Sequence, residues 1–267
     1  MEMTEKLKKL DRMYGQARLK EAEEALLQWL KEALMEGDTG AELAIYNELE
    51  GLYRTTKRAE EAVQISKKAI SLAERMGLAG TAIYGTTLLN AATANRAVGN
   101  LEAALGLYQD SADIFRSLGK DGGYEMASLY NNISHIYQAQ GKHEQALVSL
   151  EQALALVTTM ENSEAECAVT RTGMSLSLMA LGRFGEAEKK LEEALVWYES
   201  PAGRFDAHYG AALSAAGELA YRKGDLTKAI RLLEQALEVT RNIFGENDDC
   251  MMIRRNLEQL RQQGLRQ

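Results

Sequence analysis

The side chains of this 267-residue chain that could do chemistry are three histidines, two cysteines and 39 carboxylates. A nucleophilic dyad or a zinc site needs such groups at short helical or loop spacings, so that their lone pairs converge on one proton or one metal ion. His135, His143 and His208 are not spaced to pair with one another or with Cys167 and Cys250, and neither cysteine belongs to a CxxC pair. There is no HExxH segment and no GxxxxGK[ST] phosphate loop. The glycines of LGKDGGYE at 118–125 read as a connector before a helix, with an anion site at that helix N-terminus as the alternative. Glu60 with Glu61, and Glu192 with Glu193, read as solvated outer helix faces. These patterns predict no catalytic residue, no cofactor or metal ligand, and a protein that is not an enzyme.

The elements that carry these residues are helical by composition. Hydrophobic residues make up 46% and charged residues 26%, which suits a folded chain with little disorder. A single proline, Pro201, interrupts the sequence, and strong helix formers fill the stretches between glycines. The period-two alternation of strands is missing. A net charge of -8 speaks against a general nucleic-acid binder, because that affinity comes from clustered cations releasing counterions from phosphates. Arg254, Arg255, Arg261 and Arg266 read as a helix end whose cations complement the helix dipole. The opening MEMTEKLKKLDRMYG has no apolar run of a signal or anchor, and no later segment has the ~18 apolar residues of a membrane span. No membrane partner is expected, and two isolated thiols suit a cytoplasmic location. The 11 methionines read mainly as gap fillers between imperfect packing units.

One phrase recurs along the chain: GNLEAALGLYQDSA at 99–112, GKHEQALVSLEQAL at 141–154, GRFGEAEKKLEEAL at 182–195 and GDLTKAIRLLEQAL at 224–237. Two weaker copies precede them, so that Ala22, Ala62, Ala104, Ala146, Ala187 and Ala229 follow one another at spacings of 40 to 42 residues. Around Gly141, Tyr130, Ile133 and Tyr137 share one helical face before the glycine, and Ala146, Leu150 and Ala153 share one after it. Each unit is therefore two amphipathic helices joined at a tight turn, and neither pair buries its apolar faces without a neighbour. Thr39 with Glu42 and Ser163 with Glu166 have capping-box spacing, and Asn100 and Asp225 are suitable N-caps. The early copies depart from the pattern: Ala17 and Lys57 stand near or at turn positions where glycine is usual, and Trp29 stands where a small residue is usual.

Tyr130, Ile133, Tyr137, Gly141, Ala146, Leu150 and Ala153, and again Leu213, Ala216, Gly217, Gly224, Ala229, Leu233 and Ala236, resemble the tetratricopeptide repeat pattern. The long repeat is similar to those of kinesin light chain and of bacterial peptide-pheromone receptors. The resemblance implies an all-α, right-handed α-α superhelical solenoid of about six helix pairs and a C-terminal capping helix. The whole chain, 1–267, is then one solenoid domain, with repeats at approximately 3–37, 38–78, 79–120, 121–162, 163–202 and 203–245 and the capping helix at 247–263. It also implies that first helices line a concave surface that carries the ligand. Counting back fifteen, eleven and eight residues from each repeat alanine then selects one helical face. Its polar members are Asn47, Arg54, Thr93, Arg96, Asn131, His135, Gln138, Thr172, Ser214, Glu218 and Tyr221. Asn47 and Asn131 suit the alternating donors and acceptors of an extended peptide backbone, and Arg54 and Arg96 suit carboxylates. The expected function is a protein- or peptide-binding scaffold or adaptor whose partner is a protein or an extended peptide of acidic character. The alternatives are a cytoplasmic peptide-sensing regulator and a self-associating assembly module, with the chain itself a monomer or homodimer.

Overall fold

The computed structural model describes residues 3–16, 18–120 and 122–264, so Ala17 and Arg266 lie outside the described residues. These residues form two compact units, Met1–Asp121 and Gly122–Gln267. The first holds α1 (Met3–Gly15), α2 (Leu19–Glu36), α3 (Thr39–Thr55), α4 (Ala59–Arg75), α5 (Ala82–Ala97) and α6 (Leu101–Ser117). The second holds α7 (Tyr124–Ala139), α8 (His143–Val157), α9 (Glu164–Ala180), α10 (Phe184–Tyr198), α11 (Tyr209–Arg222), α12 (Leu226–Phe244) and α13 (Asp248–Gly264), with a single 3-10 turn at Gly203–Phe205. No strand occurs among the described residues.

The recurring alanines explain the pairing. Ala22, Ala62, Ala104, Ala146, Ala187 and Ala229 are each 0% exposed, one per second helix of a pair. A side chain as small as a methyl group lets packed helices approach closely, because the spacing of two helices depends on the side chains at their contact. Within each unit the helices pack against their chain neighbours, and first helices also touch: α3 meets α5, α7 meets α9, and α9 meets α11. Glycines permit some of these approaches. A side chain at Gly173 of α9 would press on Leu150 of α8, and one at Gly217 of α11 on Leu233 of α12. Trp29, by contrast, is buried and has the ammonium groups of Lys6 and Lys9 within 6 Å of its ring centre, at 5.7 and 5.9 Å. The lone helix α13 covers α12 with Cys250, Ile253, Leu257 and Leu260.

Five turns end the first helix of a pair in the same way. At Gly224 (φ +86°) the amide of Asp225 donates back to the Ala220 carbonyl at 2.9 Å and the amide of Gly224 to that of Tyr221 at 2.9 Å, a Schellman arrangement. Lys57 holds the same left-handed conformation (φ +59°) without being glycine, and its turn closes with the same bonds, Arg58 to Tyr53 and Lys57 to Arg54. The helix starts follow the sequence less closely. Asp225 caps α12 by accepting from the Lys228 amide at 2.9 Å, but α3 is capped by Asp38, one residue before Thr39. Asn100 and Ser163 sit at N-cap positions without making a cap bond. The Ser163 hydroxyl instead donates to the carbonyls of Val157 and Met160, closing the preceding turn.

A residue with a Cβ pays roughly 1 kcal/mol to hold a left-handed conformation. Gly224→Ala should therefore lower stability by about 1 kcal/mol, and Lys57→Gly should leave it unchanged or raise it by up to about 1 kcal/mol. Urea midpoints of the two variants at constant slope check both signs.

Candidate functional site

The turn geometry places one row of the selected face directly. The carbonyls of Arg54, Arg96, Gln138, Met179 and Tyr221 accept the amide of the left-handed residue, so these residues sit at fixed positions in the last turn of each first helix. What their side chains do differs between the units.

In the first unit the row is a half-buried polar cluster. Arg54 lies 2.8 Å from the carboxylate of Glu50, one turn earlier on α3, and Glu50 is 1% exposed. The contact is close but poorly directed: the Arg54 Nε–H and both Glu50 oxygens lack a well-aligned hydrogen bond. Burial pushes the Glu50 carboxyl up to about 7, and Arg54 only partly offsets it. On α5, the Thr93 hydroxyl shares a 2.9 Å hydrogen bond with the buried hydroxyl of Tyr108 on α6. Arg96 and Arg54 both lie within electrostatic reach of that Tyr108 hydroxyl, whose pKa burial raises and these neighbours pull back. The Arg96 Nε is buried and has no hydrogen-bond partner. The amide nitrogen of Asn47 donates a long 3.5 Å bond to Thr87 of α5, and its oxygen is buried without a partner.

In the second unit the corresponding amides are used between helices. Asn131 of α7 donates to the Ala127 carbonyl at 3.2 Å and to Thr170 of α9 at 3.1 Å. Gln138 donates to the Gly173 carbonyl and the Ser177 hydroxyl of α9, both at 2.9 Å. His135 is exposed and contacts the Gln138 amide oxygen at 3.2 Å. Thr172 is buried and donates to its own helix, as does the partly exposed Ser214. Glu218 is paired with Arg222 at 2.7 Å.

Ser214, Glu218 and Tyr221 line a cavity of about 730 Å³ between α9, α11, α12 and α13. Its wall includes Leu176, Phe244 and Met252, which are 39, 51 and 57% exposed. A space of this volume with an apolar lining and a few polar groups falls in the usual range for ligand pockets, roughly 300–1,000 Å³. Sequence reasoning found its α11 wall but not α13, whose role as a wall follows from packing alone. It also missed Glu50 and Tyr108. The signal for Glu50 was present, since a residue four before Arg54 on a helix faces it. Among the described residues no group of His, Cys, Asp and Glu is arranged to hold a metal ion, and the two free cysteines are buried.

The family model for the tetratricopeptide repeat matches residues 84–159 and 166–242. No curated protein matches the sequence significantly. Among solved structures, the apo form of the quorum sensor NprR from B. thuringiensis superposes with a TM-score of 0.73 at 18% identity, over 96% of this chain and 67% of that one. NprR in complex with its cognate peptide NprX gives 0.73 at 17% identity, over 94% and 70%. BtubC (BKLC) from P. vanneervenii gives 0.63 at 23% identity, over 70% and 76%.

Two stability measurements test the polar face. Gln138→Ala removes two bonds between α7 and α9 and should cost about 1–2 kcal/mol, while exposed His135→Ala should stay within about 0.5 kcal/mol. Glu50 has its ordinary carboxyl pKa of 4.5 when unfolded and about 7 when folded, so the folded state holds the extra proton between these values. Its contribution to stability is therefore lost as pH rises from about 4.5 to about 7, by no more than about 3 kcal/mol. Glu50→Gln should flatten that part of the stability profile in denaturant titrations.

Proposed function

This chain belongs to the tetratricopeptide repeat family, and from that premise we propose that it is a non-enzymatic scaffold that binds a protein segment or extended peptide on the face of its first helices. The observation that carries this reading is the Arg54–Arg96 cluster. The Arg54 guanidinium has one poorly aligned carboxylate, and Arg96, which faces the Tyr108 hydroxyl, has no acidic partner among the described residues. Most other buried or half-buried cations among the described residues are neutralised, as Arg58 is by Glu23 and Glu61 and Lys6 by Glu32. An incoming carboxylate supplies what this cluster lacks, so the partner is acidic. The apolar cavity beside Ser214, Glu218 and Tyr221 offers a separate place for an apolar side chain. Of the remaining residues of the face, Asn47, Asn131 and Gln138 bridge first helices, whereas Thr93 bonds α6 and His135 and Thr172 bond within their own helices, shaping the surface.

A second reading, a peptide-sensing regulator, is supported by the likeness to NprR, a quorum sensor that is known bound to a peptide. Self-association is supported by the exposed Phe244, Met251 and Met252 around the start of α13, and light scattering over a range of concentrations tests it. The buried free thiols fit a reducing, cytoplasmic setting.

Screening a peptide array graded in acidic content tests the main reading. Acidic peptides should bind, and the Arg54→Glu, Arg96→Glu double variant should lose about tenfold or more in affinity and reverse its salt dependence. Unchanged affinity and salt dependence in that variant would remove the acidic partner from the proposal.

A further inference from the structure

The cluster around Arg54 is unusual in being incomplete on both sides. Glu50 is sealed from solvent at 1% exposure, while Arg54 keeps 33% of its side chain accessible and so bridges from the buried carboxylate to the surface. The neighbouring helices do little to stabilise a charge on Glu50. From α2 the core receives Ala22, Leu26, Trp29 and Ala33, and from α4 Ala62, Val63, Ser66, Ala69, Leu72 and Ala73, none of them charged. The charged group that acts on Glu50 is Arg54 of α3, and Arg54 in turn lies, with Arg96 of α5, within electrostatic reach of the Tyr108 hydroxyl of α6. A carboxylate arriving from solvent would meet the exposed part of Arg54, which Glu50 engages with poor alignment, and Arg96, whose Nε is left without a hydrogen bond beside the Tyr108 hydroxyl. It would also leave Glu50 as an unpaired buried charge, a state a carboxyl avoids by taking a proton.

We propose that Arg54, Arg96 and Glu50 form a proton-coupled carboxylate site, in which a carboxylate of the partner replaces Glu50 as the counter-ion of Arg54 while Glu50 takes up one proton. The inference rests on the acidic-partner reading and adds its chemistry. The exchange balances: the partner carboxylate stays ionised, one O–H bond forms on Glu50, and the proton comes from the buffer. Glu50 thus occupies the site in the free protein, and acid releases it. Since the free carboxyl titrates near 7, the linkage falls in the neutral range.

The test uses the full chain and three synthetic probes: an N-acetylated oligo-aspartate amide, an N-acetylated oligo-asparagine with a free C-terminal carboxylate, and the corresponding oligo-asparagine amide. Aspartate side chains and a terminal carboxylate are fully ionised between about pH 6 and about pH 8, so the probes contribute no protons of their own. Affinity for a carboxylate-bearing probe should fall about tenfold between about pH 6 and about pH 8, the limit for uptake of a single proton by a group titrating near 7. Calorimetry in buffers of different ionisation enthalpy should find close to one proton taken up per probe at about pH 8. Glu50→Gln should bind with the acid-side affinity at every pH and take up none. Binding of the aspartate probe alone assigns the site to acidic side chains, and binding of the free-acid probe alone assigns it to a chain terminus; both support the proposal. If a carboxylate probe binds the wild type with no pH dependence and no proton uptake, the proton coupling is overturned and the acidic-partner reading stands. If neither wild type nor Glu50→Gln binds any carboxylate probe at any pH in this range, that reading falls and takes the coupling with it. Proton uptake by the wild type decides the matter even if the variant does not fold.

Discussion

The close approach of helices at one small residue per pair is the constraint on which the rest of this structure depends. Six alanines with no exposed surface allow the second helix of each pair to lie against its neighbours at backbone distance. A larger side chain at these fully buried positions would overpack the contact and push the paired helices apart. The Schellman turn follows from the same demand. A short, left-handed reversal is what returns the chain antiparallel at this spacing, and it holds even where Lys57 occupies the glycine position.

That spacing sets the character of the face beside the turn. Where neighbouring first helices meet beside the turn, amides and hydroxyls bridge them as well as apolar side chains. Asn131 reaching Thr170 and Asn47 reaching Thr87 are the same contact made in different units, forty residues or so apart along the chain. Polar residues on this face therefore do not by themselves mark a ligand surface. Those that stand out are the ones whose bonding capacity is partly unused: the Nε groups of Arg96 and Arg54 and the Glu50 carboxylate beside Arg54.

The two units solve the end of the face differently. In the first, burial of a carboxylate beside an arginine produces a group that titrates near neutrality, because the loss of hydration outweighs a poorly directed ion pair. In the second, the charge pair Glu218–Arg222 stays exposed, and the space is instead an apolar cavity closed by α13. One wall of that cavity is small by necessity, since Gly210 and Gly217 leave room for Thr240 and Leu233 of α12.

Helix content, the pairing, the turn and the repeat length were legible in the sequence, because each is written locally in glycine, alanine and the 3.6-residue apolar period. The register of the row from Arg54 to Tyr221 in the last turn of each first helix was legible too, since it follows from counting back to the alanine. Caps were read less well: Asp38 outcompeted Thr39, and Ser163 turned to the preceding turn, because several short polar side chains near a helix start compete for the same amides. Which polar residues are spent on neighbouring helices, and which are left over, was decided only by tertiary structure. That Gln138 bonds α9 while Arg96 lacks an acidic partner among the described residues, and that Glu50 sits at 1% exposure, depends on distances between helices roughly 40 residues apart in the chain, and burial and hydrogen bonding have no local signature at that range.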